Sequence, residues 1–392
     1  MSLSRSGFDL PRSSVKHDEA RLVALLGDVK SRTDEIRDQR FVSQDIIEEL
    51  KSVGLYRSLV PPEFGGTEMH PSDLLRLIER VAEADGSTGW VASFSFATKY
   101  LQSLPVDTLR KIYADTPDIV FSGAVFPPQP AKSVEGGVIV NGRWGFGSGS
   151  MGADYIGVGI SVEGKDEFSD LPLMAVMPAS DVKIDPVWDT IGMTGTGSHD
   201  LVVEDVFVPK EFLLVRGAQP SIDTPAYRYP SLAMAAQVLA VCGLGVARAA
   251  IDHILSIADK SKSITGAPTL GDRSNVQLHL GESVAKLESA RAWMYSSTDA
   301  AWEEISAGRE LSREFNMQLR LASSHAGRTG AEVARACFEM AGTMGIFNKN
   351  PLSRYLTDAM VTAQHAFLGE GTFINAGKVM VNSPAVHGYD VL

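Results

Sequence analysis

The sequence predicts an α+β fold that is mostly α, with a β segment set between two helical ones. Three observations support this order. From about His17 to Tyr113, apolar residues recur every three to four positions with charges between them, as in DEARLVALLGDVKSRTDEIRDQR, the spacing of amphipathic helices. From about Asp118 to Arg216 the pattern changes to short β-rich runs, GVIVNGRW, YIGVGISV and LPLMAVMP, separated by Gly, Asp and Pro. Beyond about Tyr229 the chain returns to long segments rich in Ala, Leu and Met. Strand and helix patterns do not alternate, so a parallel doubly wound sheet is not expected. The chain divides on this reading into residues 1–117, 118–225 and 226–392.

Within the first segment, VPPEFGGTEMHPSD places Pro61, Pro62, Gly65 and Gly66 where no helix can continue. Ser72 or Asp73 is the expected N-cap of the next helix. Trp90, in ADGSTGW, is followed on the same helix by Phe94 and Phe96, which suits a substrate cavity as well as a plain core. In the β segment, Leu201, Val203, Val206 and Val208 alternate around Glu204-Asp205, as in a half-buried strand with a bulge. Gly243-Leu-Gly245 lies in an Ala-rich helix with no leading strand and no third Gly, so it reads as close helix packing rather than a dinucleotide fingerprint.

Composition sets limits on function. A net charge of -12 over 392 residues, 44% of them hydrophobic, suits a protein of two or three domains and argues against nucleic acid as a partner. No apolar run is expected to reach the roughly 18 residues of a membrane span. The start, MSLSRSGFDLPRSSVKHDEA, lacks the apolar core of a secretory signal, so a cytoplasmic location is expected. Cys242 and Cys337, far apart in apolar surroundings, read as reduced core residues. His70, His199, His253, His279, His325 and His387 show no metal-ligand spacing, and no metal is expected.

The chemistry begins at WGFGSGSMGAD, Trp144 to Asp154. Gly145, Gly147 and Gly149 let backbone approach a flat ligand closely, and a hydroxyl between them, Ser148, is placed to bond a ring nitrogen. A second stretch, IGMTGTGSHDLVVEDVFVPKEFLL from Ile191 to Leu214, joins a small-residue turn to the bulged strand.

That second stretch resembles the middle β-domain signature of the acyl-CoA dehydrogenase superfamily, and WGFGSGSMGAD is similar to its "K.WITNG..AD", with Phe146 at the Trp position and Ser148 at the Thr position. FSGAVFPPQPAK departs from the dehydrogenase "TEP.AGSD", with Ser122, Gly123 and Ala124 in place of Thr-Glu-Pro. With LVPPEFGGTEMHPSD, ADGSTGW and FEMAGTMGIFNKNPLSRYLTDA, it resembles the flavin-dependent monooxygenases built on that fold. The resemblance implies an N-terminal helical domain, a middle β-barrel or sandwich and a C-terminal four-helix bundle. It implies a cytoplasmic homotetramer, the oxygenase component of a two-component system, that takes reduced flavin, FADH2 or FMNH2, from a separate reductase by diffusion. Through a flavin C4a-hydroperoxide formed with O2, such an enzyme hydroxylates a phenolic or indolic substrate. Ser122, Gly123, Ala124, Phe146, Ser148 and Gly149 would then contact the flavin, and Trp90, Phe94 and His365 the substrate. DKSKSITGAP stands where dehydrogenases carry a phosphate motif, offering Lys262 with Lys260 and Ser263, and Gln277 and the loop Gly342 to Phe347 are further candidates.

Dehydrogenases place a catalytic Glu eight residues beyond an Asp on the last helix. Counted from Asp358 that position is Ala366, with His365 beside it, where related monooxygenases keep a His directed at the substrate. An imidazole suits acid–base work on a phenol or indole at neutral pH. Glu370, in GEGT one helical turn further, would restore a carboxylate base and make the chain an acyl-CoA dehydrogenase with FAD. A non-catalytic scaffold of the same fold is the third reading; loss of Ser148 and His365 would mark it, and neither is missing.

Overall fold

A computed structural model describes residues 18–162, 173–259, 266 and 268–383. The first helical segment holds α1 (Glu19–Ser31), α2 (Thr33–Gln39), α3 (Gln44–Ser52), α4 (Pro71–Ala84), α5 (Gly86–Ser93) and α6 (Val106–Ile112). The N-cap of α4 is His70, whose Nδ1 accepts from the Ser72 N–H, and not Ser72 or Asp73: Pro71 supplies a fixed φ and needs no hydrogen-bond partner at the first helical position. Trp90 lies on α5, but Phe94 and Phe96 fall on the 3-10 segment Phe94–Ser103 that follows it, a change of helix type rather than one continuous helix.

The middle segment forms one sheet from β1 (Phe121–Val134), β2 (Gly137–Trp144), β3 (Tyr155–Val162), β4 (Leu173–Pro178), β5 (Lys183–Asp185), β6 (Asp200–Pro209) and β7 (Leu213–Val215), in the order β5-β6-β2-β1-β3-β4-β7. β4 and β6 touch although three strands separate them in that order, so the sheet curls around its own core of Trp144, Val140, Val158, Ala175, Leu201 and Val203. The expected bulge is present: the β2–β6 register shifts between Val140 and Gly142, and Asp205 opposite has φ 52°. Because β2 and β3 flank β1 on opposite sides and β3 runs parallel to it, the β2–β3 connection must cross the start of β1. That connection is the glycine-rich loop 145–154.

The C-terminal segment comprises α7 (Pro225–Arg228), α8 (Ser231–Ile257), α9 (Ser274–Ser306), α10 (Arg313–Met340), α11 (Leu352–Ala363) and α12 (Glu370–Met380). One hydrophobic core runs through α8 to α11 and through α1 to α5 of the first segment. Gly245 explains how α8 lies so close to α4: a Cβ there would stand 2.4 Å from the Glu79 carbonyl oxygen. Contrary to the expectation for membrane spans, α8 is by length and composition apolar enough to cross a bilayer; 94% of its most apolar stretch is buried inside the protein, which is why it is so apolar. Cys242 and Cys337 are free and buried.

Candidate active site

The glycine-rich loop is strapped to the loop before β6. Gly147 N–H donates to the His199 carbonyl at 3.0 Å and Gly149 N–H to the Thr196 carbonyl at 3.0 Å. The buried Ser122 hydroxyl donates to the Ser148 carbonyl at 2.6 Å, fixing the loop to the first turn of β1. Ser148 Oγ then lies 2.6 Å from Ser198 Oγ, which lies 2.6 Å from Thr196 Oγ1, which donates to the Met193 carbonyl at 2.9 Å. Each hydroxyl has one hydrogen. With the Thr196 hydrogen used on a carbonyl, Ser198 must donate to Thr196 and Ser148 to Ser198, so the Ser148 oxygen retains capacity to accept.

Phe146 sits beside this chain with φ 63° and 73% of its surface exposed, its ring 5.9 Å from that of Trp188. A bulky residue in the left-handed region is strained, and the strain here holds an aromatic ring out toward solvent beside the glycine-rich loop. Gly149, at φ 73°, faces Val91 and Phe94 at 3.7 and 3.9 Å from where a Cβ would stand, so the loop reaches the helix that carries Trp90. Gly123 has a packing reason to be Gly, since a Cβ there would meet the Gly157 carbonyl at 2.1 Å, and Ala124 is buried in the sheet's core. β2 pairs with β1 only at Ala131 to Val134, leaving the other edge of Ser122 to Ala124 free of that strand.

On the far side of Trp90 stands His365. The two rings are 5.7 Å apart, and Phe367 packs 4.9 Å from the imidazole. The expectation that His365 and Glu370 share one helix is corrected: α11 ends at Ala363, His365 caps a 3-10 turn, and α12 begins at Glu370. The break follows from the cap itself, in which His365 Nδ1 accepts the Phe367 N–H at 3.2 Å and draws the backbone out of α-helical register. Glu370 is thereby turned to solvent, its side chain 82% exposed and 3.7 Å from Arg328. Burial, and then the nearby cation of Arg216, lower the His365 pKa to about 4. The imidazole is neutral at pH 7, and with Nδ1 occupied its hydrogen is on Nε2.

Arg216, immediately after β7, was not singled out by the sequence, nor were Tyr100 and Phe367. The guanidinium lies 4.7 Å over the Tyr100 ring and 5.6 Å over that of Phe367, and its Nη2 donates to the Tyr100 hydroxyl at 2.9 Å. Thr196 and Ser198 were also missed, although both lie in the quoted GTGSHD. A single Arg after a three-residue strand has no periodic signature.

One expected contact is not brought here. Gln277 is exposed on α9, its Nε2 bound to the Gly271 carbonyl at 2.9 Å. Lys262, with Lys260 and Ser263, lies outside the described residues. A cavity of about 950 Å³ on the other side of the Met193 loop, lined by Arg37, Thr194, His253, Lys349 and Arg354, includes none of the expected site residues.

A glycine-loop hydroxyl chain facing an aromatic cluster, on a helix–sheet–helix frame, is the arrangement that the resemblance to the acyl-CoA dehydrogenase superfamily implies. Residues 25–113 match the family described as acyl-CoA dehydrogenase, N-terminal domain, and residues 237–370 match acyl-CoA dehydrogenase, C-terminal domain. The chain is 48% identical over 368 residues to an indole-3-acetate monooxygenase of Pseudomonas putida, covering 93% of this chain and 94% of that one. It is 26% identical to an FADH2-dependent resorcinol hydroxylase, oxygenase component, of a Rhizobium species, over 91% of this chain and 92% of that one. The crystal structure of the 3-HSA hydroxylase from Rhodococcus sp. RHA1 superposes with a TM-score of 0.86 at 26% identity, covering 94% and 97% of the two chains. The chain belongs to the flavin-dependent monooxygenases of the acyl-CoA dehydrogenase superfamily.

Proposed function

We propose that this monooxygenase is the oxygenase component that works beside a separate flavin reductase, and that it hydroxylates an indolic or phenolic substrate of the indole-3-acetate kind. The observation that carries the reading is the continuity of the hydroxyl chain at Ser148, through Val91 and Phe94, with the Trp90, His365 and Phe367 cluster. The names of the relatives support the substrate class and the use of reduced flavin. The exposure of Glu370 weighs against a dehydrogenase, which needs a buried carboxylate base.

The residues present fit a reduced flavin: an exposed aromatic at Phe146 and a Ser148 hydroxyl oxygen free to accept. When bound, that cofactor supplies the two electrons that activate O2. Ser148, with its free acceptor oxygen, would hold the ring by a hydrogen bond, and Ser122 holds Ser148 in place. Phe146 would pack against the ring. Trp90 and Phe367 hold the aromatic substrate and exclude water, which would otherwise divert the reaction to hydrogen peroxide. His365 donates a hydrogen bond from Nε2 at the reacting side of the substrate, a role for a neutral imidazole in place of the acid–base work expected from the sequence. Exposed apolar side chains concentrate at the C-terminal end, among them Ile346, Phe347, Ile374, Met380 and Val381, and support self-association through that bundle, as a homotetramer would need.

The reading is tested by supplying photoreduced FADH2 or FMNH2, indole-3-acetate and labelled dioxygen to the purified chain. One labelled oxygen atom in the product is the expected outcome. Reduction of protein-bound FAD by an acyl-CoA, with no oxygen incorporated, would overturn it.

A further inference from the structure

Arg216 is 8% exposed, and its Nε is buried with no hydrogen-bond partner. Among the described residues it forms no ion pair with a carboxylate. Its only side-chain hydrogen bond there goes to the neutral phenol of Tyr100. Burying a guanidinium without a counter-charge is costly, and proteins retain such groups where an anion arrives to pair with them. Tyr100 and Phe367, the rings under the guanidinium, are half-buried, as is His365, so this end of the aromatic cluster is not sealed into the core. Phe367 touches both Arg216 and His365, which places the cation at one end of the cluster and the imidazole beside it.

We propose that Arg216 is the specificity-determining residue of this site: it pairs with the carboxylate of an aryl-acetate substrate while Trp90, His365 and Phe367 hold the ring. The inference rests on the aromatic-hydroxylase reading and adds the side chain that selects the acid. Tyr100 is the positioning residue, fixing one guanidinium nitrogen and leaving the Nε edge for the anion. The guanidinium fork matches a carboxylate in shape as well as charge, so a lysine would replace it only in part.

The test is anaerobic equilibrium dialysis of indole-3-acetate against its neutral analogue indole-3-acetamide, on the full chain with reduced flavin present. Wild type is expected to prefer the acid. Arg216→Met should weaken binding of the acid about 10- to 100-fold and change the amide less than about threefold, with Arg216→Lys between the two. Equal binding of acid and amide by wild type, or an acid preference kept by Arg216→Met, would overturn the proposal and leave aromatic hydroxylation standing. Binding of neither indole by wild type would overturn the substrate reading and this proposal with it. If Arg216→Met does not fold, Tyr100→Phe decides: a several-fold loss confined to the acid supports the assignment, and no acid-specific loss refutes it.

Discussion

Replacing Ser148 by Ala tests whether the hydroxyl chain distinguishes the two redox states of the cofactor. Thr196 spends its hydrogen on the Met193 carbonyl, Ser198 donates to Thr196, and Ser148 donates to Ser198. Reduced flavin carries a hydrogen on N5 and can donate to the Ser148 oxygen. Oxidised flavin offers only an acceptor at N5, and satisfying it would require reversing the chain and breaking the Thr196 bond. A neutral hydrogen bond contributes about 0.5–1.5 kcal/mol net, so Ser148→Ala should weaken reduced flavin about 2- to 12-fold. Binding of oxidised flavin should stay within about twofold of wild type. The Ser198 oxygen loses one donor, which should lower the stability of the flavin-free protein by about 1 kcal/mol. Anaerobic dialysis of each redox form measures the first effect, and urea unfolding measures the second. Equal weakening of both redox forms would refute the argument from chain polarity, because a general loss of loop order has no redox preference.

His365→Ala, which removes a fixed hydrogen-bond donor, should lower hydroxylation about a hundredfold while reduced-flavin binding is unchanged, and Glu370→Gln, at an exposed carboxylate, should leave product yield within about twofold. Because the His365 pKa is lowered to about 4, wild-type product yield between pH 6 and 9 should show no titration near 6.5 that the Ala variant abolishes; finding one would contradict a neutral donor. Asp358 is displaced in the other direction, raised to about 7 by burial and by Asp85. A raised folded pKa gives stability that is fully present below the unfolded value of 3.8 and lost as pH rises through 7. Asp358→Asn keeps an acceptor for Met193 N–H and should gain on wild type by up to about 1.4 kcal/mol per pH unit between pH 4 and 7; parallel denaturation curves for the two proteins would sink this account.

Periodicity made the elements legible and left the joints between them obscure. β2 and β3 coincide with GVIVNGRW and YIGVGISV, and the bulge at Glu204-Asp205 was readable because four apolar residues changed phase around two charges. Gly243 and Gly245 were rightly read as packing glycines, since an Ala-rich helix has no strand to lead into a phosphate turn. The end of α11 was not legible: His365 breaks the helix through a side-chain cap on its own backbone, and a histidine is not among the residues that signal a cap. Arg216 was invisible for a different reason. Its meaning depends on having no partner, and the lack of a counter-charge is a property of three-dimensional neighbours rather than of spacing.

The segment 191–198 explains why pieces so distant in sequence meet. Met193 N–H donates to Asp358 Oδ1 at 2.6 Å on α11, the helix that leads directly to His365. Gly195 N–H donates to Ser87 Oγ at 3.1 Å on α5, three residues before Trp90. Thr196 and Ser198, from the same segment, hold the Ser148 hydroxyl. One short loop therefore sets the distances among the hydroxyl, the indole and the imidazole, and neither the sheet nor the bundle sets them alone. Asp358 is costly to bury, yet its side-chain oxygen is the acceptor through which the Met193 N–H ties this loop to α11. That tie positions His365 relative to Ser148, and a displacement of about 1 Å between such groups can cost on the order of a hundredfold in rate.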